Sequence, residues 1–207
     1  MIKVIIFDVG GVLYKRSYYG YYKNSFRYFS KKLGIEPSAV ERAFRSSDYK
    51  IATGKETTKD FLKKVSKKLG KEVDEKDFLR ILKEPPKMMS AKTLNLAIRL
   101  KKRYTVVVLS NNIRPATIIT KKKLRKYFHK MYHSDELGMK KPEPRIYKYV
   151  IKDLGVSPNE CVFIDDKPEN VKAAKKLGMK AINFNVYDMD YRDIVRMLKE
   201  NGVVLEQ

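Results

Sequence analysis

The chain has 207 residues, enough for one α/β core with or without a small accessory domain, and its 43% hydrophobic content describes a packed globule and excludes a disordered segment. One cysteine, Cys161, excludes an internal disulfide framework and fits a reducing cytoplasm, where we expect the protein to work. The net charge of +22 is not localised: residues 16–88 hold 19 basic and 10 acidic side chains and the rest hold 27 and 14, so there is no basic tail. We therefore read a generally basic surface that attracts anionic substrates, ahead of a dedicated nucleic-acid site.

The first element is the apolar run Ile2-Lys3-Val4-Ile5-Ile6-Phe7, a buried strand that stops at Asp8. It is too short, and too abruptly ended, for a signal peptide. No run of about 18 apolar residues follows anywhere, so no membrane partner is expected. From about 16 to 88 there is no strand signal. Amphipathic helices are expected over about 19–33, 38–50, 57–69 and 75–83, the first beginning in the Tyr-rich segment 18–22. Thr57 through Asp60 has the spacing of a capping box, and Pro85-Pro86 closes the segment. Strands return at Tyr104–Leu109, at Lys130–His133, at Cys161–Ile164 and at Ala181–Phe184, with helices over 143–154 and 168–177 and Gly178 as the natural stop. Alternating strands and helices imply an α/β fold: a Rossmann-like parallel sheet with helices on both faces. The helical stretch then reads as an inserted cap. The expected division is a core of 1–15 and 89–207 and a cap of 16–88.

In an open parallel sheet, ligands bind beyond the carboxyl ends of the strands. Three strands end in polar clusters, at Asp8, at Ser110-Asn111 and at Asp165-Asp166, and Lys141 follows the strand at 130–133 through a short loop. Such a set suits phosphoryl transfer through an aspartyl-phosphate. A carboxylate that attacks a phosphate dianion meets like charge, worth ~4 kcal/mol per unit pair at about 4 Å and an effective dielectric near 20. A Mg²⁺ held by carboxylates offsets most of that, a lysine adds to it, and a serine hydroxyl with backbone N–H groups can hold the remaining oxygens.

Four segments in order carry a resemblance. Ile5-Ile6-Phe7-Asp8-Val9-Gly10-Gly11-Val12-Leu13, Val107-Val108-Leu109-Ser110-Asn111, Leu137-Gly138-Met139-Lys140-Lys141-Pro142-Glu143-Pro144, and Val162-Phe163-Ile164-Asp165-Asp166 with Asn170 resemble the motifs of the haloacid dehalogenase superfamily. The insertion between the first two is similar to its C1-type cap, and the likeness is to its small sugar-phosphate phosphatases, α-D-glucose-1-phosphate phosphatase among them. The resemblance implies Mg²⁺ as cofactor and a small phosphorylated substrate. It implies Asp8 as nucleophile and metal ligand, the Gly10 carbonyl and Asp166 as further ligands, and Asp165 as a ligand directly or through water. Ser110 and Asn111 would bind phosphate, Lys141 would neutralise nucleophile and phosphoryl group, and Asn170 would orient the acidic loop.

The chain departs from the family's phosphatases at Gly10, where a second aspartate usually serves as general acid and base. Such help is typically worth 10²–10⁴-fold. Dehalogenases of the superfamily lack that aspartate too, but they use no metal, so the paired Asp165-Asp166 favours a phosphatase. A non-catalytic binding protein on the same fold is the other reading of Gly10 and +22. Elsewhere the plain readings lead. His129 and His133 have no metal-site spacing and are taken as structural or surface residues. Cys161 is a small buried hydrophobe. The tyrosines at 18–22 pack between cap and core, with Tyr18 the candidate for a substrate contact, and Lys55 in the Thr53-Gly54-Lys55 turn is the other.

Overall fold

A computed structural model describes residues 1–14, 18–83 and 89–205, of which 18–24 are described by backbone only. Five strands, β1 (Val4–Phe7), β2 (Thr105–Ser110), β3 (Lys130–His133), β4 (Cys161–Asp165) and β5 (Lys180–Asn183), form one parallel sheet in the order β3-β2-β1-β4-β5. β1 is the middle strand, paired with β2 on one side and β4 on the other. Its four residues are all buried because both sheet faces are covered.

Side chains along a strand alternate between faces, and two separate cores result. Ile5, Phe7, Val106, Val108, Val162 and Ile164 share one face with Leu94, Leu96, Ala97 and Leu100 of α6 (Ala91–Leu100) and Ile194 and Leu198 of α11 (Tyr191–Glu200). Val4, Ile6, Val107, Leu109, Cys161 and Phe163 share the other with Ile146, Tyr147 and Val150 of α9 (Pro144–Leu154) and Val171 and Ala174 of α10 (Pro168–Lys176). Burying a leucine- or phenylalanine-sized side chain stabilises by roughly 1.5–3 kcal/mol, so each face is a strong constraint on register. Two further helices, α7 (Arg114–Leu124) and α8 (Ser134–Leu137), follow β2 and β3.

Between β1 and α6 lie five helices: α1 (Tyr18–Leu33), α2 (Pro37–Arg45), α3 (Asp48–Ala52), α4 (Thr58–Leu69) and α5 (Glu75–Lys83). They enclose a third core of Phe26, Phe29, Val40, Phe44, Phe61, Leu62, Val65, Phe78, Ile81 and Leu82, joined by Ile113 from the start of α7. Phe44 is its centre, with ring centroids 5.4 Å from Phe26, 5.7 Å from Phe61 and 6.0 Å from both Phe29 and Phe78. The helix expected over 38–50 is two helices: α2 stops at Arg45, and Ser46 and Ser47 turn the chain before α3. At α4 the expected cap is present, with the Thr57 hydroxyl accepting from the Asp60 N–H at 3.1 Å.

A candidate phosphoryl-transfer site at the sheet edge

Eight of the sequence-selected residues, Asp8, Gly10, Ser110, Asn111, Lys141, Asp165, Asp166 and Asn170, meet beyond the carboxyl ends of β1, β2 and β4. Asp8 follows β1 directly, held in place by its N–H donating to the Ile164 carbonyl at 2.8 Å. Lys141, 3% exposed, spans the gap between strands. Its Nζ lies 2.9 Å from Asp8 Oδ1 and 2.6 Å from Asp165 Oδ2, and it donates to the Leu109 carbonyl at 2.8 Å. Ser110 is buried at the end of β2 and lines the same cavity as Asp8, Gly10, Asn111, Lys141, Asp166 and Asn170.

The Asn111 side chain is engaged with the lysine loop. Its Nδ2 donates to the Lys141 carbonyl and its Oδ1 accepts from the Lys141 N–H, both at 2.8 Å. The side-chain amide therefore fixes the lysine loop.

The two adjacent aspartates also separate. Asp165 is the last residue of β4 and fully buried; its oxygens accept from Lys141, from Asn170 Nδ2 at 2.9 and 3.0 Å, and from the Lys167 N–H at 2.9 Å. Asn170 is in turn tied down through its carbonyl, which accepts from the Tyr147 hydroxyl at 3.1 Å. Asp166, one residue further, faces the cavity, and its buried Oδ1 has no protein partner. Gly11 makes room for it. A Cβ on Gly11 would lie 2.4 Å from the Asp166 carboxyl, and the φ of +76° suits glycine.

Electrostatics follow from this packing. Burial raises Asp8 to about 6, against the pull of Lys141. Burial, reinforced by the charges of Asp8 and Asp165, raises Asp166 to about 7. Burial works against the Lys141 ammonium, but Asp165 and Asp8 outweigh it and hold its pKa above the ordinary value. Asp8, Asp165 and Asp166 each offer a carboxylate oxygen within 4.8 Å of the others. Three carboxylates so close, one with an orphaned oxygen, are an all-oxygen donor set of the kind a hard divalent cation takes. The residues present fit such an ion.

The cap reaches the cavity through α3, whose Asp48 and Ala52 line it together with Lys140 and Lys167 of the core. None of these four stood out in the sequence. Alternation past the end of β4 could have flagged Lys167; burial lowers its pKa, partly countered by Asp8. Lys55 is exposed, lies 5.9 Å from the Tyr49 ring and is not among the residues lining the cavity. In the turn holding it, Gly54 packs on α8, where an added Cβ would sit 2.0 Å from the Asp135 carbonyl oxygen. The Tyr18 side chain lies outside the described residues. His133 is buried, and His129 Nδ1 accepts from the Val106 N–H at 3.0 Å.

A parallel sheet with a buried aspartate just past its central strand, a buried lysine and an inserted helical unit defines a capped α/β hydrolase. Residues 2–178 match the model of the haloacid dehalogenase-like hydrolases, and the chain belongs to that family. It is 27% identical over 191 residues to the D-ribitol-5-phosphate phosphatase of Bacteroides thetaiotaomicron, covering 87% of this chain and 90% of that one. A haloacid dehalogenase family enzyme from the same organism, solved with magnesium and inorganic phosphate, superposes with a TM-score of 0.76 at 28% identity over 94% of this chain and 99% of that chain. The flavin mononucleotide hydrolase 1 of Arabidopsis thaliana is 40% identical, but over 74 residues that span only 36% of this chain and 30% of that one. An L-2-haloacid dehalogenase from Xanthobacter autotrophicus shares the fold, with a TM-score of 0.63 at 17% identity.

Proposed function

We propose that the protein is a magnesium-dependent phosphatase of small phosphorylated alcohols that works through an aspartyl-phosphate on Asp8. The observation that carries this reading is the Lys141 ammonium wedged between Asp8 and Asp165, beside an Asp166 oxygen with no protein partner. The magnesium- and phosphate-bound relative and the ribitol-phosphate phosphatase support the cofactor and the substrate class. The core would be 1–15 and 89–207 and the cap 16–88, a division that the separate aromatic core of α1–α5 supports.

Asp8, Asp166 and the Gly10 carbonyl would hold the cation, with Asp165 behind them. When bound, magnesium supplies positive charge that offsets the repulsion between carboxylate and phosphate. The chain's own groups do the rest. Lys141 keeps Asp8 ionised in a buried place and faces the charge that builds on the phosphoryl oxygens. Asp165, the Leu109 carbonyl and Asn111 fix that lysine from three directions, and Asn170 in turn orients Asp165. Ser110 offers its hydroxyl to a phosphoryl oxygen, and loop N–H groups offer the remaining donors. Asp8 then attacks phosphorus in line with the departing alcohol. A dehalogenase would have no use for an acid at 166 beside Asp8, and an orphaned carboxylate oxygen there favours the phosphatase.

Asp8→Asn should remove turnover of p-nitrophenyl phosphate while thermal melting stays near that of the native protein. Full activity in the Asn variant would overturn the reading. Chelation should also abolish turnover, and added Mg²⁺ should restore it.

A further inference from the structure

We propose that Asp48, contributed by the short cap helix α3, performs the proton transfers for which Gly10 has no side chain; the inference rests on the phosphatase reading above. Three carboxylates line the catalytic cavity: Asp8, Asp48 and Asp166. The first is the nucleophile and the second of the core pair faces the cation, which leaves Asp48 uncommitted to either task.

Position supports the same assignment. In-line displacement sends the leaving oxygen away from the nucleophile. Asp8 stands at the sheet edge, so the leaving oxygen points toward the inserted helices, where Asp48 and, one turn on, Ala52 turn a common face to the cavity. Asp48 and Ala52 form part of the wall of this cavity, so a phosphoryl ester seated on Asp8 lies beside the α3 side chains.

Asp48 is also held firmly. Its Oδ1 accepts from Lys140 Nζ at 3.1 Å, and that ammonium lies 5.2 Å from the centre of the Tyr49 ring. The Tyr49 hydroxyl accepts from Arg145 Nη2 at 3.1 Å. Two neighbouring residues of α3 are thus anchored to Lys140 and to Arg145 in the first turn of α9, on the segment that also carries Lys141.

The steps balance without another reagent. In the first half, an Asp8 oxygen bonds to phosphorus, the P–O bond to the alcohol breaks, and the Asp48 proton goes to the departing oxygen. In the second half, water bonds to phosphorus, the bond to Asp8 breaks, and the water proton returns to Asp48. Between the halves Asp48 is a carboxylate beside the Lys140 ammonium.

The test compares leaving groups. A nitrophenol departs without a proton and a simple alcohol does not, so Asp48→Asn should cost far more on glycerol 1-phosphate than on p-nitrophenyl phosphate. In kcat/KM, which reports the first half alone, the expected loss is ~10²-fold or more on the alkyl ester and at least ten times smaller on the aryl ester. Phosphoenzyme should also accumulate during aryl turnover, because the second half lacks its base. Equal losses on the two esters, or no loss on the alkyl ester, would overturn the proposal. Should the Asn variant melt below the assay temperature, Asp48→Ser replaces it, with the same ratio of losses expected and the same results overturning the proposal. The two ideas fail separately: an inert Asp8→Asn with an unselective Asp48→Asn sinks only the role of Asp48. A native enzyme inactive on both esters, or an Asp8→Asn variant as active as native, sinks the phosphatase reading and this proposal with it.

Discussion

The sheet edge and the cap interior are held together by different physics. At the edge, ionised groups are buried and bound to one another, with Lys141 between Asp8 and Asp165. In the cap, cohesion comes from phenylalanine rings around Phe44. The first arrangement is unforgiving, since each charge depends on its partner. The second tolerates adjustment, since dispersion and burial have little directionality. The proposed nucleophile sits in the unforgiving part, and among the described residues the adaptable part lines its cavity through the short helix α3.

The largest effect should come from breaking the buried ion cluster. Lys141→Met leaves Asp165 charged and unpaired, and removing one partner of such a pair costs ~3–5 kcal/mol. Urea unfolding should show that loss, and turnover should vanish. Adding Asp165→Asn should recover part of the stability and none of the activity. A Lys141→Met protein as stable as native would mean the edge is not electrostatically bound.

Phe44→Ala should cost the cap ~3–5 kcal/mol through the cavity it leaves. Hydrogen exchange separates the two regions here. Amides of α2, α4 and α5 should lose protection, while those of β1, β2 and β4 keep theirs. Equal loss in both would show one cooperative unit, and the contrast drawn above would fail.

A pH effect should arise beneath the site. Burial lowers His133 from 6.5 to about 4. Above pH 6.5 the imidazole is neutral in both folded and unfolded chains and contributes no pH dependence. Between 6.5 and about 4 the unfolded chain takes up a proton that the folded one refuses, so stability falls as the pH falls, by about 3 kcal/mol at the end of the window. Asp8 and Asp166, whose pKa values are raised, act in the opposite sense. The His133 contribution is therefore read as the difference between native and His133→Gln in acid unfolding curves. Parallel curves would refute it.

The smallest effect tests where cap meets core. Gly54→Ala must relieve a 2.0 Å approach to the Asp135 carbonyl at a residue with φ of +65°. Strain of this kind costs about 1–3 kcal/mol. A modest fall in melting temperature with a raised KM, and kcat less affected, is expected, because α3 would be displaced from the cavity.

Much of the core was legible because strands buried on both faces read as short unbroken apolar runs, and each such run ended in its polar group. Even Lys130–His133, with one apolar residue beside a tyrosine, proved to be β3. The helices α6, α7 and α11 carried no comparable mark. Leu94, Leu96 and Ala97 are all buried, which blurs the stripe of α6, and Lys121-Lys122-Lys123 fills the last turn of α7 with charge. In the cap, apolar periodicity ran on through Ser46-Ser47 and concealed the break between α2 and α3. That break decides which side chains face the sheet edge, and so Asp48 lay hidden while Lys55 stood out. The site residues of the core came together as their strand ends implied. The distinct surroundings of Asp165 and Asp166 needed only the two-residue period of a strand, carried one step past its end.

The absent side chain at position 11 governs how this protein can change over generations. Any codon change that installs even a methyl group there pushes into the Asp166 carboxyl. No gentle substitution is open, and a lineage that altered this residue would have to rebuild the neighbouring acidic loop at the same time. Drift is therefore barred at that place by geometry, whatever compound the enzyme comes to accept.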